Sequence, residues 1–285
     1  TVSDERISTG VARLDTMLDG RGYYRGSSIL ISGTAGTGKS SLAAHLVAAA
    51  ARRGERCLYI AVEESQPQII RNMRSIGLNL QPFVDQGLLH FHAARPTVYG
   101  LEMHLVTIHK LTEELAPQVV ILDPITNLRA VGGELEVHGA LMRLLDYFKS
   151  RGITTLFTSL TAGGDALEQT TVGLSSLMDT WILLKIIESN GERNRVLYVL
   201  KARGMDHSNQ MREFRLTSEG IQLVDVYAGT DGVLTGTARL AQQAQEQAAG
   251  LARQQELERR LRSLECKRAL LEANVHSLQA EFAAE

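Results

Sequence analysis

The sequence lacks most of what marks a secreted, membrane-spanning or generally nucleic-acid-binding chain. Only two cysteines occur among 285 residues, Cys57 and Cys266, far apart and in no metal-ligand spacing. They imply no disulfide framework and fit a reducing, cytoplasmic setting. No apolar run is long enough to cross a bilayer, so no helical membrane span is expected, and no signal-peptide pattern opens the chain. Neither sign of charge dominates: 30 Lys and Arg stand against 32 Asp and Glu. Without a basic excess, nonspecific nucleic-acid binding would need a local patch. The first residue is Thr1 rather than Met, and the chain is expected to be an excerpt of a longer protein.

What is present divides in two. Residues 1 to about 225 alternate apolar runs with helical patterns. Residues from about 238 onward are rich in Ala, Gln, Glu, Arg and Leu, with no proline and only Gly250 against the helical trend. The Gly/Thr-rich stretch Gly229–Thr237 reads as a linker between them. The expected organisation is therefore a domain over 1–228, a linker over 229–237 and a helix over 238–285.

The first region reads as repeated β–α units. Strands are expected at Ser28–Ser32, Cys57–Val62, Leu88–His92, Gln118–Leu122 and Ile153–Thr158. Helices are expected between them, at Lys39–Arg53, Gln66–Ile76, Leu101–Leu115 and Leu135–Arg151. This alternation predicts an α/β fold, a mostly parallel central sheet with helices on both faces. Thr180–Ile187, Val196–Lys201 and Met211–Leu216 follow with little helix between them, and should extend the sheet as antiparallel strands.

The chemistry starts at Gly33-Thr34-Ala35-Gly36-Thr37-Gly38-Lys39-Ser40-Ser41, whose first eight residues match G-x-x-x-x-G-K-[ST] between a strand and a helix. Such a P-loop curls its backbone N–H groups around phosphate oxygens, and the helix adds its positive N-terminal end. Lys39 would reach the β- and γ-phosphates of ATP, and Ser40 would ligate Mg²⁺. Asp123 ends the fourth expected strand and is the natural second Mg²⁺ carboxylate. Glu63 and Glu64 end the second strand, where one of them can polarise an attacking hydroxyl or water. Glu63 is the preferred base. His90 and His92 share a strand face without a third ligand and read as packing or surface residues.

With the cradle, the Glu pair and Asp123 in this order, the chain resembles the RecA/DnaB-like ATPases, and most of all the KaiC family of circadian-clock ATPases and autokinases. The further segments that carry the likeness are Ser8-Thr9-Gly10 with Leu14-Asp15, Met178-Asp179-Thr180 and Lys201-Ala202-Arg203-Gly204. It covers about Ile7 to Thr237. The resemblance implies a RecA-like P-loop NTPase, a hexameric ring with ATP between subunits, and a KaiB-like clock protein as a partner. It implies that Ser175 and Ser176 accept phosphate from ATP on the neighbouring subunit, where the family has Ser followed by Thr. Thr170 would be a transient acceptor and Arg129 a basic residue near the acceptors. It makes Lys201 and Arg203 the cations that reach the neighbour's phosphates; at i and i+2 of a strand end they face the same way. Return of the phosphate to ADP would dephosphorylate the site. The family carries two such repeats, and this chain resembles the second.

From Gln254 the apolar positions follow a heptad. Leu257, Leu264, Leu271 and Leu278 fall at d; Leu261, Val275 and Phe282 fall at a, with Arg268 as the polar exception. Arg253, Arg260 and Lys267 at g would meet Glu258, Glu265 and Glu272 at e of a parallel partner, all opposite in sign. The charges favour parallel pairing between copies in a ring, and stacked rings remain open. In cyanobacterial relatives this region is a loop and tail that a stimulating partner pulls on. A coiled coil there leads to the expectation of autophosphorylation without that partner.

Two other functions fit a P-loop of this type. A DNA-dependent motor would need basic loops at the ring centre, but residues 130–138 and 161–171 contain acids and no Lys or Arg. An ATP-binding signalling scaffold would assemble through the coil without needing the Glu and Ser pairs.

Overall fold

A computed structural model describes residues 3–95, 99–161, 176–189, 191–229 and 232–284. The chain divides into two units, residues 1–226 and 227–285. In the first, β1 (Arg6–Ile7) and β2 (Tyr23–Tyr24) pair antiparallel and flank α1 (Ala12–Met17) in sequence. The βα alternation then runs β3 (Ser28–Gly33), α2 (Lys39–Arg52), β4 (Cys57–Ala61), α3 (Gln66–Ser75), α4 (Gln81–Asp85) and β5 (Leu89–Ala93). It continues through α5 (Leu101–Leu115), β6 (Val119–Asp123), a 3₁₀ helix (Ile125–Ala130), α6 (Glu134–Ser150) and β7 (Thr154–Leu160). Four strands close the unit: β8 (Thr180–Ser189), β9 (Glu192–Ala202), β10 (Arg212–Thr217) and β11 (Gly220–Asp225).

Among the described residues, the main sheet has nine strands in the order β11-β10-β9-β8-β3-β7-β6-β4-β5. From β8 to β5 the neighbours run parallel, and β8 to β11 form an antiparallel extension. This is the α/β, RecA-like arrangement that the sequence predicts. Its parallel strands are buried on both faces, so alternate residues enter different cores. Ile29 and Ile31 of β3, with Val119 and Ile121 of β6, join the core under α2 and α3. Leu30, Val120 and Leu122 point the other way and pack with Phe148 and Leu144 of α6 and Ile108 of α5.

The extension has one strand more than the sequence predicts. Gly220, at φ +107°, lets the chain reverse, and Ile221–Asp225 returns along β10. The short run Ile-Gln-Leu-Val has too little pattern to announce this on its own.

In the second unit, β12 (Tyr227–Gly229) pairs with β13 (Gly232–Leu234), and α7 spans Gly236–Ala284. The stretch expected as a linker therefore holds part of a hairpin and the start of the helix. Glycines that read as a loose connector sit opposite each other, Gly229 against Gly232. The long C-terminal helix is present as predicted.

Phe148 is wholly buried between α6 and the sheet, whereas the Lys110 side chain of α5 is 72% exposed. Phe148→Ala should cost about 3–5 kcal/mol of stability through the cavity it leaves. Lys110→Ala should change stability by less than about 0.5 kcal/mol. Urea unfolding of both variants checks this, and similar losses at the two positions would contradict the assigned core.

Candidate functional site

The cradle closes the C-terminal end of β3. Its curvature depends on residues without a Cβ. At Gly38, φ is +101° and a Cβ would lie 2.6 Å from the Phe214 ring. At Gly33 a Cβ would lie 2.4 Å from the Leu184 carbonyl oxygen of the neighbouring strand. Thr37 Oγ1 donates to the Thr34 carbonyl at 2.8 Å and braces the loop. Lys39 turns back into it, its Nζ donating to the carbonyls of Gly33 at 2.9 Å and Thr34 at 2.7 Å. An arriving triphosphate would compete for these donors. Burial pushes the Lys39 ammonium down to about 8, against the pull of Asp123 and Glu63.

The register places the other groups beside the cradle, because Ala61 at the end of β4 pairs with Asp123 at the end of β6. A cleft of about 210 Å³ is lined by Ala35, Gly36, Lys39, Ser40, Glu63, Glu64 and Asp123, among others. Asp123 is buried, and both its oxygens accept hydrogen bonds, from the Tyr59 hydroxyl at 2.5 Å and from the Thr158 hydroxyl. Glu64 receives the Asn72 amide at 3.3 and 3.4 Å. Burial and the nearby Asp123 charge raise its carboxyl above the usual range. Ser40 and Asp123 offer hydroxyl and carboxylate oxygen, the donor chemistry that Mg²⁺ takes. Ser41 lies one residue further along α2 and is buried. The sequence did not mark Tyr59 or Thr158, nor Arg195 of β9, whose Nε donates to the Gly36 carbonyl at 3.0 Å.

The remaining site residues gather at the opposite end of the sheet. Thr180 begins β8 beside Ile29, near the start of β3, and pairs with Ala202 of β9. Lys201, Arg203 and Ser176 therefore lie together there. Lys201 Nζ and an Arg203 guanidinium nitrogen donate to the Ser176 carbonyl at 3.1 and 2.6 Å, and Ser176 is exposed. Burial and then the Arg203 charge lower the Lys201 ammonium. Asp179 anchors this end: it accepts from the Ser28 amide at 2.9 Å and hydroxyl at 2.8 Å, and pairs with Lys149 at 2.9 Å. Burial raises its carboxyl, but the Ser28 and Lys149 contacts outweigh that and hold it below its ordinary value. A cavity of about 620 Å³ opens beside Arg25, Lys149, Asp179 and Arg203. At about 3.3 Å per residue, β3 alone puts roughly 15 Å between this end and the cradle.

Ser175 and Thr170 lie outside the described residues. Arg129 sits beyond the cradle end of β6 and pairs with Glu134 at 3.5 Å, away from the chain's own Ser176. No group of three or more possible metal ligands of the His, Cys, Asp and Glu types occurs among the described residues. Among them, no helix is long and apolar enough to cross a membrane.

A family model described as "ATPase: KaiC" matches residues 7–227. The chain belongs to this family. It is 52% identical to the circadian clock protein KaiC2 of Synechocystis, over all of this chain and 50% of that protein. Identity is 34% to KaiC3 of the same organism, over 87% of this chain and 50% of the relative. It is also 34% to the circadian clock oscillator protein KaiC of Parathermosynechococcus lividus, over 82% and 43%. The chain thus spans about half the length of the curated relatives it matches. A KaiC-type ATPase binds nucleotide, and the cradle of Gly33–Ser40 is the P-loop in this chain.

Lys39 can attract phosphate by charge only when protonated. Below about pH 8 the free protein already carries that charge. Above it, binding must take up a proton, and affinity should fall, by at most about tenfold per pH unit. Titration with a fluorescent ATP analogue from pH 7 to 9 should show the decline. Affinity that is flat or rises over this range would remove Lys39 from the binding step.

Proposed function

We propose that this KaiC-family chain is an ATP-driven autokinase and ATPase that phosphorylates Ser175 and Ser176 of a neighbouring copy. The observation that supports transfer between copies is the placement of the cradle and Ser176 at opposite ends of one sheet. No side chain spans that distance, so the acceptor must come from another subunit. A ring with nucleotide at each interface satisfies this, and a hexamer is the form we propose.

In this reading Lys39 and the cradle amides hold the triphosphate of one copy. Mg²⁺ held by Ser40 and Asp123 would neutralise charge on the β- and γ-phosphates. The acceptor serine of the next copy brings Lys201 and Arg203 with it, cations suited to stabilising the γ-phosphoryl as it transfers. The serine oxygen attacks the γ-phosphorus, the bond to the β–γ bridging oxygen breaks, and ADP leaves. Glu63 takes the hydroxyl proton. It lies close enough to Lys39 to support that residue's charge, whereas Glu64 is tied to Asn72. Water in place of serine gives hydrolysis, and the reverse transfer to ADP removes the phosphate.

The relatives' names support timekeeping as the setting; the reading places the protein in the cytoplasm, with a KaiB-like clock protein as a partner. The α7 helix supplies a further contact between copies, a parallel coiled coil. Leu257, Leu261, Leu264, Leu271 and Val275 are each more than half exposed along it. Arg260, Arg262 and Arg268 pair only at the surface, with Glu256, Glu258 and Glu272 of the same helix. Such exposed i,i+4 pairs are worth about 0.3–0.5 kcal/mol and yield readily to a partner.

Two measurements test the reading. After incubation with Mg·ATP, intact mass and peptide mapping should show phosphate on Ser175 or Ser176, and Glu63→Gln should lose it. ATP binding with neither serine modified would leave an ATPase without the kinase step. For the coil, combined Arg253→Glu, Arg260→Glu and Lys267→Glu should weaken assembly in sedimentation. Mixing with a Glu258→Lys, Glu265→Lys, Glu272→Lys chain should restore it, and failure of that rescue would rule out parallel g–e pairing.

A further inference from the structure

We propose that Tyr59 is a positioning residue for the cation of the bound nucleotide, holding the Asp123 carboxylate in the orientation that receives Mg²⁺. The assignment rests on the Mg·ATP reading of the cradle. Tyr59 is wholly buried in the middle of β4, its ring packed 5.2 Å from that of Phe91. Its hydroxyl donates to Asp123 Oδ2 at 2.5 Å. Thr158 donates to the other Asp123 oxygen.

Two hydroxyls, one on each oxygen, fix the plane of the Asp123 carboxylate, and a carboxylate holding one hydrogen bond per oxygen keeps lone pairs for a cation. Without the phenol hydroxyl, Asp123 Oδ2 loses its buried donor. The ring of a phenylalanine would leave the packing on Phe91 intact.

The test is the Mg²⁺-dependent gain in affinity of the full chain for a fluorescent ATP analogue, measured in EDTA and in excess Mg²⁺. In Tyr59→Phe the EDTA affinity should match the native chain. The gain should shrink by about tenfold, the size of one lost hydrogen bond to a charged group. Asp123→Asn should also lose the gain, and adding Tyr59→Phe to it should change little further. A Tyr59→Phe chain with the full gain, or independent losses in the double variant, would overturn the assignment. A native chain with no gain would instead overturn the Mg²⁺ reading itself, and this assignment with it. Should Tyr59→Phe not fold, the native chain labelled with fluorotyrosine gives a second readout. One of its seven tyrosine ¹⁹F signals must shift when Mg²⁺ joins the ATP-bound protein. Seven unmoved signals would overturn the proposal.

Discussion

Strand β3 sets the geometry on which everything else depends. One end opens into the phosphate cradle at Gly33, and near the other Ser28 holds Asp179 through its amide and hydroxyl. Asp179 in turn accepts both Ser28 bonds and pairs with Lys149, so the start of β8 is fixed to the base of β3. Arg203 joins the same anchor, its amide donating to the Asp179 carbonyl at 2.8 Å. Ser176, the proposed acceptor, is thereby held at the far end of the strand that carries the cradle. A rigid, doubly buried parallel strand cannot bend to bring its two ends together. In the proposed mechanism a second copy brings donor and acceptor together.

The same layout explains why cations cluster where the chain's own nucleotide is not. Lys201, Arg203 and Lys149 lie around Ser176 and Asp179. Burial first, and then repulsion from Arg203, lower the Lys201 ammonium. An anionic triphosphate arriving from another subunit would relieve that repulsion. The cradle end is lined by Lys39 and the carboxylates Glu63, Glu64 and Asp123, with Arg195 on the Gly36 carbonyl beside it. The proposed ring would set the cations of one copy against these carboxylates of the next.

Much of this was legible in the sequence, and the limits have physical causes. The cradle could be read because its chemistry fixes residue types at consecutive positions. Asp123 could be read because it ends an apolar run and precedes Pro124. The parallel sheet followed from alternating β–α units, since strands buried on both faces are short and uniformly apolar. Tyr59 could not be found this way, because a tyrosine within a buried strand reads as packing. Only the β4–β6 register puts its hydroxyl on Asp123. The contact of Lys201 and Arg203 with the Ser176 carbonyl was hidden for the same reason: it spans 25 and 27 residues and depends on the β8–β9 pairing. The return of Gly220–Asp225 along β10 turned on a single glycine conformation, too weak a signal beside the neighbouring strands.

Transfer between copies is the central claim, and complementation tests it most directly. A Lys39→Ala chain, which keeps its serines but has a defective cradle, is mixed with a Ser175→Ala, Ser176→Ala chain, which keeps its cradle but has no acceptor. After incubation with Mg·ATP, mass analysis should find phosphate on the Lys39→Ala chain, which alone should carry none. If neither chain gains phosphate in co-assembled mixtures while the native chain phosphorylates itself, donor and acceptor belong to one subunit, and the account is contradicted.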